Sequence, residues 1–242
     1  MTSPFAMLRE NKIPFKRNRT FKRIGLVYEE LNTVTIDGNR HYIAPIGNGI
    51  PLPSVTTVLG RAQNKEFLER WRARVGEAEA EKVKVKAGRR GTAVHTIAES
   101  YMLNEDHYPL DTTPANIQTF APIQKVLDTR VGRVIGIEVP LYSMDLRTAG
   151  RTDCVAEFDG VGSIVDFKTS LKPKKKEWIE SYFLQATCYS MMFEDMFEVP
   201  VPQIAIVITI DDEPDAQVFV ESSAIYRDKV REVFAKHARI PE

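Results

Sequence analysis

Asp153, Asp166 and Lys168 sit among apolar residues in the stretch 150–170, GRTDCVAEFDGVGSIVDFKTS, and nothing else in the chain limits the possible folds as much. The stretch predicts two β-strands joined at Asp159-Gly160, a pair suited to a two-residue hairpin turn. Such a turn sets Phe158 opposite Val161 and Asp153 opposite Asp166. A four-residue loop over 159–162 instead sets Asp153 opposite Lys168. Strand side chains alternate with period two, so Asp153, Asp166 and Lys168 share a face in either register. Cys154, Val155, Ile164, Val165 and Phe167 make the hairpin at least half-buried. Charges on such a face are costly unless paired, and a divalent cation is a natural partner.

The 242 residues suffice for one large domain, and 43% hydrophobic with 27% charged residues is an ordinary globular composition. The 33 basic and 33 acidic residues cancel, so a case for a polyanionic partner must rest on local clusters. The two cysteines, Cys154 and Cys188, fall inside predicted elements, which argues against a disulfide scaffold and a four-cysteine zinc or iron–sulfur site. A reducing, intracellular setting is the expectation. No apolar run has membrane-spanning length, and no secretory leader is evident. The N-terminus is basic, but Glu10 and Pro14 weaken the pattern of a helical mitochondrial transit peptide.

Along the chain, Lys12, Lys16, Arg17, Arg19, Lys22 and Arg23 form a basic arm, read first as a solvated tail and second as a phosphate-contacting one. Apolar runs at 26–28, 34–36 and 42–43, with an Asp37-Gly38 turn, predict a small β-meander. Ser54 or Thr56 is expected to cap a short helix. Phe67, Leu68, Trp71 and Val75 follow helical spacing up to Gly76. A helix carrying Lys82, Lys84, Lys86, Arg89 and Arg90 follows, and such a run is ordinarily a solvated face. Gly91-Thr92 is expected to begin a separate helix on which His95 and Glu99 lie one turn apart. Pro114 opens another helix, and residues 131–142, which contain Glu138, lead as a strand into the hairpin. The basic loop 172–176 precedes a helix expected over 174–197, with Trp178 on its apolar side. A continuous apolar strand near 204–210, a short strand and a last helix capped by Ser222 complete an α/β fold with a mixed sheet.

A lone D-x-K is most often a surface ion pair. In this chain it stands in order with a histidine helix, G-R-x-D and Q-x-x-x-Y. Carboxylates suit Mg²⁺ or Mn²⁺, and an imidazole from His95 biases the set towards Mn²⁺. Such a cation acts as a Lewis acid towards a phosphodiester, and a lysine beside it stabilises developing negative charge.

Residues 91–99 (GTAVHTIAE), 150–153 (GRTD), 165–169 (VDFKT) and 185–189 (QATCY) resemble, in order, the motifs of RecB-type nucleases of the PD-(D/E)xK phosphodiesterase superfamily. Residues 52–59 and 71–76 resemble the branch of phage and mitochondrial genome-maintenance exonucleases. The resemblance spans roughly residues 50–220. It implies a restriction-endonuclease-like α/β core, a central mixed sheet flanked by helices. To this are added a basic arm and β-meander over 1–49 and a helical N-terminal part of the nuclease domain at 50–242. It also implies a metal held by His95, Asp153, Asp166 and the carbonyl of Phe167, with Lys168 as catalytic lysine. Glu99 would serve a second metal or its water. Gln185 and Tyr189 would support the site and touch DNA, and Arg151 would pair with an acid or a phosphate. Val165 stands where the superfamily has its proline, the iron–sulfur cysteines of some relatives are missing, and Glu138 has no assigned role.

The function implied is a metal-dependent DNA exonuclease in replication, recombination or repair, with single-strand preference and 5′-to-3′ direction. An endonuclease of the same fold and a catalytically silent DNA-binding accessory protein are the alternatives. Lys174, Lys175 and Lys176 are candidate phosphate contacts. Trp71 and Trp178 are expected in the core, with base stacking as the other possibility.

Overall fold

The computed structural model describes residues 13–46, 49–63 and 66–241. Lys12, Glu10 and the side chain of Phe67 lie outside the described residues. The hairpin is present as β5 (Thr148–Phe158) and β6 (Val161–Ser170), paired from Phe158↔Val161 to Cys154↔Val165. The loop is the two-residue Asp159-Gly160, with φ of 52° and 81°, the left-handed pair of a type I′ turn whose twist matches the strands.

β4 (Val131–Ser143) pairs antiparallel with β5, and β7 (Gln203–Ile210) pairs parallel with β6. β8 (Gln217–Ser222) pairs antiparallel with β7, closing a mixed five-stranded sheet in the order β4-β5-β6-β7-β8. Among the described residues the α-helices, numbered along the chain, are α1 (Val55–Ala62), α2 (Glu66–Val75), α3 (Glu77–Met102), α4 (Pro114–Arg130), α5 (Glu180–Phe197) and α6 (Arg227–His237). α5 is the crossover that a parallel β6–β7 pair requires. Alternation along β6 separates two cores. Ile164 packs with Val55 of α1, Phe183 and Met192 of α5 and Phe234 of α6. Val165 and Phe167 pack with Val94, Ile97 and Tyr101 of α3 and Phe120 and Leu127 of α4.

Three local expectations change, and the expected cap at Ser54 is found. The meander is β1 (Thr33–Ile36), β2 (Asn39–Ala44) and β3 (Ile50–Pro53); residues 26–28 form no strand. Ser54, at the end of β3, caps α1 by accepting from the Thr57 N–H at 3.1 Å. No new helix starts at Gly91: α3 runs unbroken for 26 residues, because burial of Val94, Ile97, Ala98 and Tyr101 outweighs the ~1 kcal/mol helix cost of a glycine. The long helix expected from 174 begins only at Glu180, after a 3-10 turn at Lys176–Trp178. The Lys174 backbone is held elsewhere: its N–H donates to Gln217 Oε1 at 2.7 Å, and Gln217 Nε2 donates to its carbonyl.

The basic arm is not a solvated tail. Phe15 and Phe21 are buried against α3 and α4. The Arg17 guanidinium lies over the Tyr101 ring and donates to the Tyr101 carbonyl at 2.6 Å. The Ile24 N–H donates to the Val134 carbonyl and the Val134 N–H to that of Lys22, tying the arm to β4.

Candidate metal centre

The site forms where the central sheet parts. Backbone pairing of β5 with β6 stops at Cys154↔Val165, and one step further Asp153 Oδ2 accepts the Phe167 N–H at 2.8 Å. A side chain takes over the ladder bond, so no buried donor is orphaned. Asp166 follows Val165 and is 1% exposed. Lys168, two residues on, puts Nζ 2.5 Å from Asp166 Oδ2. This contact is an ion pair, and a buried carboxylate oxygen with this one partner keeps unused acceptor capacity.

Two neighbouring elements complete the cluster. The β4–β5 register, Ile137↔Cys154 and Val139↔Thr152, sets Glu138 opposite Asp153. Glu138 has φ of 50°, and its carbonyl accepts from Arg151 Nη1 at 2.6 Å. From α3, His95 Nδ1 lies 3.2 Å from Asp153 Oδ1. One donor atom each from His95, Glu138 and Asp153 falls within 4.8 Å of the others, a spacing that fits a metal ion. Asp166, expected among the ligands, lies outside that set and is held by Lys168.

The charges respond to this crowding. Burial, Asp153 and Glu99 together push the Glu138 carboxyl up to about 7. Burial likewise raises Asp166 to about 6, against the pull of Lys168. Burial disfavours a charged His95, but Asp153 outweighs it and the imidazole is raised. Asp153 itself is lowered: burial opposes ionisation, and His95, Lys168 and the Phe167 N–H overcome it. A cation fits what these residues lack. Carboxylates raised by burial and mutual repulsion, one with a spare buried acceptor, are relieved by positive charge, and a mixed imidazole–carboxylate donor set suits a metal ion.

A cleft of about 700 Å³ opens over the cluster. His95, Glu99, Glu138, Arg151, Asp153, Lys168, Gln185 and Tyr189 line it, joined by Arg40 and Tyr42 of the meander. Glu99, raised mainly by burial, thus faces the cleft without joining the metal-spaced set. Arg151 pairs with Glu30. Lys176 pairs with Glu221, which leaves Lys172, Lys174 and Lys175 as the available cations of the basic loop. A second cleft of about 930 Å³ lies along the N-terminal half of α3, where Lys82, Lys86 and Arg89 line it and Arg90 is paired with Asp211.

The glycine of G-R-x-D has a steric reason. A Cβ at Gly150 would stand 2.8 Å from Tyr189 Cε1 and 2.9 Å from its hydroxyl oxygen. Tyr189 is buried on α5, so its ring cannot swing into solvent. Gly150→Ala is expected to destabilise the chain by about 1–3 kcal/mol, the range for an overpacked core. Combining it with Tyr189→Leu should restore much of the melting temperature. A single variant melting with the wild type would show that the ring moves freely.

With this geometry the chain can be set beside known proteins. It is similar to exonucleases. Mitochondrial genome maintenance exonuclease 1 of Xenopus tropicalis is 30% identical over 130 residues, 51% of this chain and 37% of that protein. The human protein of the same name is 31% identical over 150 residues, 57% of this chain and 42% of that protein. These relatives support a nuclease family. The chain spans about two fifths of their length. No known family profile matches it. A solved structure described as "Crystal structure of SSO0001" covers 76% of the chain at 14% identity, with a TM-score of 0.34, too low to support an argument.

Glu138 is the site residue that residue patterns alone leave unassigned. Its signal is an acid in an apolar strand directly upstream of the hairpin, and only the β4–β5 register turns that into a meeting with Asp153. Among the described residues, no helix is long and apolar enough to cross a membrane.

Proposed function

We propose that the chain is a divalent-metal-dependent exonuclease of the PD-(D/E)xK superfamily, RecB-like in type, with a restriction-endonuclease-like core over residues 50–242. It hydrolyses phosphodiester bonds of DNA from an end, in replication, recombination or repair. One observation carries this reading: His95, Glu138 and Asp153 converge within 4.8 Å in the same cleft as Lys168, the partner of buried Asp166. The exonuclease names of the relatives agree with it.

His95, Glu138 and Asp153 would hold the ion, with Asp166 and the Phe167 carbonyl as further ligands. When bound, Mg²⁺ or Mn²⁺ supplies Lewis acidity and positive charge at the scissile phosphate. The chain's own groups do the rest. The Phe167 N–H fixes Asp153 through Oδ2 and leaves Oδ1 towards His95. Asp166 raises the Lys168 pKa against burial, so Nζ keeps its proton beside developing negative charge. Arg151 holds the Glu138 backbone. Glu99, Gln185 and Tyr189 shape the wall that meets the strand.

The test uses DNA labelled separately at each end, incubated with Mg²⁺ or Mn²⁺ and, in parallel, with EDTA. Metal-dependent loss of one end first, with circular single-stranded DNA left intact, is the expected result. Cutting of the circle would make the chain an endonuclease. DNA binding without metal-dependent hydrolysis would make it an accessory protein.

A further inference from the structure

Trp178, expected in the core, is 64% exposed. It sits at the end of the 3-10 turn Lys176–Trp178, immediately before the buried Ile179. The Lys175 ammonium lies over its ring, 5.4 Å from the centroid. Lys172, Lys174 and Lys175 precede it in the chain; the acid of this stretch is Glu177, and Lys176 is already paired with Glu221.

This corner is held in place. Gln217 of β8 clasps the backbone of Lys174 through two hydrogen bonds, and Ser170 Oγ donates to the Lys172 carbonyl at 2.7 Å. It is also joined along the chain to Lys168, which lines the cleft. β6 ends at Ser170, about 7 Å beyond Lys168 at strand rise, and runs straight into the basic loop. From the other side, Lys168 Nζ lies 5.3 Å from the centroid of the Tyr182 ring. Tyr182 lies in the first turn of α5, four residues after Trp178.

An exposed indole beside free cations has the chemistry of a single-strand platform: a base stacks on the π-face and flanking phosphates meet the ammonium groups. We propose that Trp178 stacks an unpaired base of the polynucleotide strand entering or leaving the cleft, with Lys174 and Lys175 on its phosphates. The proposal rests on the nuclease reading of the cleft and adds to it the feature that selects unpaired strand. A base held in a duplex is already stacked and does not offer its face to the indole.

The experiment follows tryptophan fluorescence in EDTA, where the strand stays intact. With Trp71→Phe, Trp178 is the remaining emitter, and titration with single-stranded oligothymidylate should quench it saturably, while a blunt duplex should not. Trp178→Ala should weaken oligothymidylate binding about tenfold, within the range for a stacked base, and Trp178→Phe should retain most of the affinity. Lys174→Ala with Lys175→Ala should lower the slope of log affinity against log salt by about one to two. Equal affinity of Trp178→Ala, or binding without quenching, in a chain that still cuts DNA with metal overturns the platform and leaves the nuclease reading intact. A wild-type chain that neither binds nor cuts single-stranded DNA overturns both.

Discussion

Replacing Asp166 with Asn or Lys168 with Met is expected to lower metal-dependent DNA cleavage by a factor of about 10²–10³ or more, the range for removing a group that stabilises developing charge. The stability of the same variants separates a catalytic pair from a structural one. Asp166 is 1% exposed, and its carboxylate faces the Lys168 ammonium at 2.5 Å. Removing one member of a buried pair leaves an uncompensated charge, which typically costs about 3–5 kcal/mol. Lys168→Met should fall below that range, because Asp166, already raised to about 6 by burial, can take a proton instead. Asp166→Asn leaves an ammonium with Asp153 still nearby. The double variant Asp166→Asn with Lys168→Met removes both charges and should recover most of the stability lost by the singles, while cleavage stays lost. Urea unfolding in EDTA and cleavage in Mn²⁺ check the two halves. Single variants that cut at the wild-type rate would remove this pair from the chemistry.

The parts of this site that could be read from residues are those that local rules determine. A type I′ turn demands positive φ at both positions, which Asp159-Gly160 tolerates, and with the turn known, period-two alternation puts Asp153, Asp166 and Lys168 together. His95 lies against Asp153, on a helix that begins at Glu77 and not at Gly91. A glycine reads locally as a break, whereas continuity of α3 depends on what Val94 and Tyr101 pack against. The arm misled for a similar reason. Its arginines look like a solvated run until Phe15 and Phe21 find α3 and α4, more than 70 residues away in the chain. Trp178 failed in the other direction, since its helical spacing assumed that α5 began before Gln217 had claimed the Lys174 backbone. Glu138 needed a register between two strands and a backbone with φ of 50°, neither of which composition encodes.

Glu138 is also where the cost of the metal-ready cluster should be measurable. In the folded chain its carboxyl titrates at about 7, against 4.5 ordinarily, through burial first and the charges of Asp153 and Glu99 next. Below pH 4.5 folded and unfolded chains both hold this proton. Between 4.5 and 7 only the folded chain does, so raising the pH through this window costs stability, and above 7 the full penalty stands. The shift corresponds to up to about 2 kcal/mol once partial solvent screening is allowed for. In EDTA the wild type should therefore melt progressively lower from pH 5 to 8. His95, whose pKa is raised by Asp153, loses its stabilising charge over rising pH in the same direction, so the diagnostic quantity is the difference between wild type and Glu138→Gln. The variant keeps the shape without the charge and should melt about 5 °C above the wild type at pH 8, with little difference at pH 5. Mn²⁺ should reverse that order. A cation offsets the repulsion in the wild type, raising its melting temperature most at pH 8, whereas the variant has lost an anionic donor and should need about tenfold or more Mn²⁺ for the same rise. Equal melting at pH 8 in EDTA, together with an unchanged response to Mn²⁺, would place Glu138 outside the metal site and leave His95, Asp153 and Asp166 to hold the ion without it.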